Sequence, residues 1–158
     1  MMVLYEKLLN EVVNAGVSVF EVKMQGRIKG LYSDDVIWIN EAIDTDSEKY
    51  SILAEEFGHY NTSVGNIIDQ SKLVNRKQEQ RARTWAYEYT IPISKIVSAH
   101  KAHVKNKFEL AEYLGVTEDF VERTIERYIE KYGDYVSYKN FTVCLNPLGV
   151  LEWFDFSH

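Results

Sequence analysis

The segment Ile52-Leu53-Ala54-Glu55-Glu56-Phe57-Gly58-His59-Tyr60 sets two adjacent carboxylates, a glycine and an imidazole among apolar residues three or four apart. Thr45 followed by Glu48 has capping-box spacing, so a helix is expected to start there and to bury the stripe Leu53, Phe57, Tyr60 and Val64. At ~100° per residue, with the stripe centred on Leu53, Glu56 lies about 60°, His59 about 120° and Glu55 about 160° off centre, all to one side. Three ionisable side chains therefore flank a buried face, rooted in the core and open to solvent. Glu55 and His59 at i,i+4, with Glu56 beside the first, have the layout of a His-Glu-x-x-His metal helix whose first imidazole is a carboxylate. Taken alone, the pair also reads as an ordinary solvated helical contact worth ~0.2–0.5 kcal/mol, the commoner use of that spacing.

Two ligands do not make a site, and the next helix offers a third. It is expected from Val74 to Thr90, closed by Pro92, and it carries Glu79. Ala82 and Ala86 stand three and seven residues further on, so small side chains share the face of Glu79 and permit a close approach to the first helix. Without that neighbour Glu79 would read as one more surface charge in an Arg/Lys-rich helix.

On the N-terminal side, Leu4, Leu8, Val12 and Ala15 before Gly16 predict an amphipathic helix. Val17 to Lys23, Arg27 to Tyr32 and Val36 to Asn40 predict a small antiparallel sheet with bends at Gly26 and Ser33-Asp34-Asp35. On the C-terminal side, Pro92 to Val104, Phe108 to Leu114 and Thr117 to Tyr132 read as helices. Val136 to Phe156 reads as a hairpin around Asn146-Pro147 or as a strand added to the early sheet. A chain of 158 residues with 46% apolar content has the size of one α+β domain, expected here over 1–158. Lys plus Arg number 18 against 24 Asp plus Glu, and the net charge of -6 excludes a general nucleic-acid coat. The lone Cys144 cannot make an intrachain disulfide, and the start MMVLYEKLLNEVV lacks the unbroken apolar run of a secretory signal. No run approaches the ~18 apolar residues of a membrane span, so a cytoplasmic setting without a membrane partner is expected.

Leu53-Ala54-Glu55-Glu56-Phe57-Gly58-His59 resembles the Leu-Ala-His-Glu-Leu-Gly-His helix of the ImmA/IrrE-type metallopeptidases. Glu79-x-x-Ala82-x-x-Trp85-Ala86 followed by Ile91-Pro92 resembles their second helix, in the same order and at the same spacing. Val36-Ile37-Trp38-Ile39-Asn40 and Leu110-Ala111-x-x-Leu114-Gly115-Val116-Thr117 are similar too, so the likeness runs from about Val17 to Tyr132. The resemblance implies an α+β fold: a zincin-like metallopeptidase core with a small antiparallel sheet, and a mostly helical C-terminal half with a helix-turn-helix-like pair at about 108–132. It implies a metallo-endopeptidase that cleaves or inactivates a helix-turn-helix transcriptional repressor in a phage or mobile-element module. Glu56 would be the general base, and Glu55, His59 and Glu79 would occupy the metal-ligand positions.

Glu55 is the departure. Two histidines and one carboxylate leave a divalent ion a local charge of +1, whereas Glu55, Glu79 and His59 neutralise it and weaken its acidifying effect. Zn is the first expectation, but the set is also harder, which weakens the case for Zn and admits Mn, Fe or Mg beside it. The second functional reading is therefore an anti-repressor or adaptor that keeps the fold and controls its partner by binding alone.

The remaining candidates have plainer readings. His100 and His103, beside Lys101 and Lys105, fit a solvated face better than extra ligands. Tyr60 and Trp85 fit core packing, and Cys144 an inert β-rich setting. Thr117 to Tyr132 has the spacing of a recognition helix, but Glu118, Asp119 and Glu122 at its start have the wrong sign for phosphates. No direct nucleic-acid contact is expected, and the helix pair packs on the core or faces a protein partner.

Overall fold

The computed structural model describes residues 3–63 and 72–153, with side chains for all of these except 72–75. Its contacts gather into two compact units, Met1–Tyr89 and Thr90–His158, taken in turn.

In the first unit, helix α1 (Leu4–Asn14) buries Tyr5, Leu8 and Val12 and ends before Gly16, whose φ of 94° suits a residue without a side chain. The buried stripe thus starts at Tyr5 rather than Leu4. Strands β1 (Ser18–Val22), β2 (Gly30–Ser33) and β3 (Val36–Asn40) form a sheet in the order β1-β3-β2. The expected all-antiparallel arrangement is corrected here, because β1 runs parallel to β3 while β2 is antiparallel to it. Asp34 and Asp35, with φ of 47° and 61°, make a two-residue turn of the kind that suits strand twist, which fixes β2 against β3 and leaves only the far side of β3 for β1. The Asn40 amide holds the connecting loop by donating to the Ile28 carbonyl at 2.9 Å.

Helix α2 (Asp46–Thr62) begins as the capping spacing predicts, with Thr45 Oγ1 accepting from the Glu48 N–H at 3.3 Å. It buries Leu53, Ala54 and Phe57, while Val64 of the expected stripe lies outside the described residues. Helix α3 (Lys72–Thr90) buries Ala82, Ala86 and Tyr87. The inner face of the sheet, with Ile37 and Ile39 fully buried, packs on α1 and α2.

In the second unit, Pro92 precedes α4 (Ile93–Lys101), Asn106 caps α5 (Lys107–Leu114), and Thr117 caps α6 (Glu118–Tyr132). Gly115, at φ 71°, ends α5 in the left-handed conformation. Phe120, Val121, Ile125 and Tyr128 form the buried side of α6, and the Tyr128 hydroxyl donates to the Ile91 carbonyl at 2.7 Å. Strands β4 (Tyr135–Tyr138), β5 (Phe141–Leu145) and β6 (Leu148–Glu152) make an antiparallel meander of their own. The tail therefore neither stops at one hairpin nor joins the first sheet: Phe141, Val143 and Leu145 give β5 a fully alternating buried face that needs a strand on each side. Phe154 and Phe156 lie outside the described residues. Among the described residues, no helix is long and apolar enough to cross a membrane.

Candidate functional site

Glycine in a helix interior costs ~0.5–1 kcal/mol against alanine, so Gly58 in the middle of α2 needs a reason. The reason is α3. A Cβ on Gly58 would lie 2.2 Å from the Ala82 carbonyl oxygen, so the two backbones meet where neither helix has a large side chain. Ala82 and Ala86 are fully buried, as close approach requires. This contact brings His59, next to Gly58, onto Glu79, nearly one turn before Ala82: His59 Nε2 lies 3.0 Å from Glu79 Oε1. Two residues that are 20 apart in sequence thus share a hydrogen bond in which the imidazole donates to the carboxylate.

Each partner tunes the other. The hydrogen bond to Glu79 raises the pKa of His59 against the opposing effect of burial, and the same bond lowers that of Glu79. Glu56 behaves differently. Burial pushes its pKa from 4.5 up to about 7; the charges of Glu55 and Glu79 add to the rise, and those of His59 and Arg83 oppose it. A carboxyl group poised near neutrality can both take and return a proton at physiological pH. Part of its seclusion comes from Gly30 on β2, where a Cβ would lie 2.6 Å from Ile52 Cγ2 and 3.3 Å from Glu56 Cγ.

Arg83, one turn after Glu79, extends its guanidinium to 3.7 Å from Glu79 Oε2 and is half exposed. Sequence reading overlooked it, although its i,i+4 spacing from Glu79 was visible. The aromatic neighbours form a connected series in which Phe57 stacks on Tyr60 at 5.6 Å and meets Trp85 edge-on at 5.3 Å. Both Tyr60 and Trp85 are half-buried, and Tyr60 also donates to the Ala15 carbonyl.

The expected metal ligands are thus brought together in part. Two donors bound at ~2.0–2.1 Å to a tetrahedral ion sit about 3.4 Å apart, so the His59–Glu79 pair has the chemistry and nearly the spacing of two ligands. Glu55, half-buried on α2, is not gathered with them: among the described residues, no three His, Cys, Asp or Glu side chains form a group that could hold a metal ion. His100 and His103 do not share a helix face, because α4 stops at Lys101 and His103 adopts a φ of 67°.

The first unit thus sets α2, with Glu55, Glu56 and His59, against α3, with Glu79. The chain matches the M78 peptidase family, described as the IrrE N-terminal-like domain, over residues 14–126, and it belongs to that family. No curated protein and no solved structure matches it. Membership makes a metallopeptidase-like function the family-level reading, and M78 peptidases are typically metal-dependent.

Proposed function

We propose that this protein is a metal-dependent endopeptidase whose substrate is another protein, following the resemblance a helix-turn-helix repressor of a phage or mobile element. The observation that carries the reading is the 3.0 Å pairing of His59 with Glu79 beside a carboxyl group of near-neutral pKa, Glu56. His59 and Glu79 would hold the divalent ion, and Glu55, which the structure does not gather with them, would be the third ligand. Zn is the first choice, Mn, Fe or Mg the alternatives. When bound, the ion supplies Lewis acidity to the scissile carbonyl. Glu56 would take a proton from water and return it to the leaving amine, a role that suits a carboxyl group whose pKa burial has raised. Among the described residues β2 is a sheet edge next to α2, and its outward backbone groups would suit an extended peptide. The α5–α6 pair serves packing or protein contact and does not read DNA: Glu118 and Asp119 occupy the first turn of α6, and Arg123 pairs with Asp119 at 2.9 Å within the helix.

The test is cleavage of an unstructured protein and of a candidate repressor by protein purified without chelator, with metal content measured on the same sample. Stoichiometric metal lost in Glu55→Ala and His59→Ala, and cleavage lost in a folded Glu56→Gln variant, uphold the reading. A Glu56→Gln variant that cleaves as fast as the parent overturns it. Glu55 motivates the second reading, an adaptor acting by binding alone. Release of a repressor from its operator at one-to-one ratio, without fragments and without bound metal, selects it.

A further inference from the structure

The first sheet has two unlike faces. Its inner face packs on α1 and α2, whereas its outer face carries one large apolar side chain per strand, all in register: Phe20 and Leu31 each pair across Trp38. Phe20 is 51% and Leu31 48% exposed, and Trp38 is half-buried between them. Such a row across three strands is unusual on a surface left to water, where single exposed apolar residues are the norm. The two ends of the strands carry opposite charge. Asp34 and Asp35 form the exposed turn at one end. Lys23, Arg27 and Lys29 lie in the connection at the other, with Lys29 bridged to Glu48 at 3.0 Å, so among the described residues Lys23 and Arg27 outweigh the one carboxylate beside them, Glu41.

We propose that this outer face is where two copies of the chain pair. A two-fold axis along the Phe20-Trp38-Leu31 row turns one sheet over onto the other with strand directions reversed. Each strand then covers its own counterpart, the three large side chains meet theirs at the centre, and the acidic turn of one copy lies over the basic connection of the other. An axis along the strands would set acid against acid. Charge complementarity therefore selects both the occupant, a second copy, and its direction.

Sedimentation velocity on the full chain from about 1 to 200 µM tests this, and a reversible dimer is expected within that range. Phe20→Lys weakens it at least ~10-fold while the far-ultraviolet circular dichroism stays unchanged, since the side chain points away from the core. Lys23→Glu with Arg27→Glu also weakens the dimer, by about 10-fold at low salt, and adding Asp34→Asn with Asp35→Asn to that background recovers part of the loss, because the repelling ends belong to different copies. Asparagine is chosen because it tolerates the positive φ of the turn. A monomer at every concentration, including one whose outer face binds some other protein, overturns the proposal. So does a dimer that Phe20→Lys leaves intact, or one in which the asparagine pair brings no recovery.

Discussion

The α2–α3 and α5–α6 helix pairs solve the same packing problem by opposite means. In α5–α6, Asn106 and Thr117 cap the starts, Gly115 closes the first helix, and Leu110, Ala111, Phe120, Val121 and Ile125 supply the buried surface. Arg123 and Arg127 each reach a carboxylate on their own helix. In α2–α3 the contact is backbone to backbone at Gly58 and Ala82, and the groups beside it are a histidine, a glutamate shared with it and a carboxyl group titrating near 7. One pair is held by side-chain volume and carries its charges outside. The other packs Phe57 against Trp85 but gives up side-chain volume at Gly58 and Ala82, where polar groups from two helices meet.

The sharpest way to break this contrast is to remove volume from the first kind of contact. Phe120→Ala is expected to cost ~3–5 kcal/mol in urea unfolding while leaving the His59–Glu79 pair as it is. Adding volume to the second kind is the mirror test. Gly58→Ala would normally stabilise a helix, yet here it is expected to destabilise by about 3 kcal/mol and to separate His59 from Glu79, seen as loss of the raised imidazole pKa by NMR.

Glu56→Gln sharpens the comparison by changing charge at constant volume. The folded pKa of Glu56 lies above its ordinary value of 4.5, so its contribution is most favourable below pH 4.5 and declines as pH rises through about 7. Chelator-treated protein is therefore expected to lose melting temperature between pH 4.5 and 8. The glutamine variant keeps only the smaller decline due to the raised pKa of His59, is the more stable by on the order of 2 kcal/mol at pH 8, and has lost turnover. The smallest effect belongs to the caps: Thr117→Ala is expected to cost about 1 kcal/mol in thermal unfolding and nothing in metal content.

What could be read in advance follows the same division. Caps, glycine stops and the spacing of Glu55, Glu56, His59, Glu79 and Ala82 are local, so helix order and the pairing of His59 with Glu79 were legible. The parallel pairing of β1 with β3 and the separate C-terminal meander depend on which distant strand wins an edge, which no local pattern encodes. The row Phe20-Trp38-Leu31 exists only once register is known. Glu55 shows the limit from the other side, because its spacing placed it with the ligands and the structure does not gather it with His59 and Glu79. Gly58 was the overlooked signal: an internal helical glycine announces a close neighbour, and Ala82 was already known to be small.

Gly30 has a further consequence for enzymatic tuning. Because a methyl group there would collide with Ile52 and press on Glu56, a larger residue forces the Ile52 side chain or the edge strand to shift, and a strand that moves outward would admit water to the carboxyl group. Hydration would lower its proton affinity and, under the proposed function, move the activity optimum toward acid, so a strand position that bears no functional group would influence the pH response of a helix-borne base.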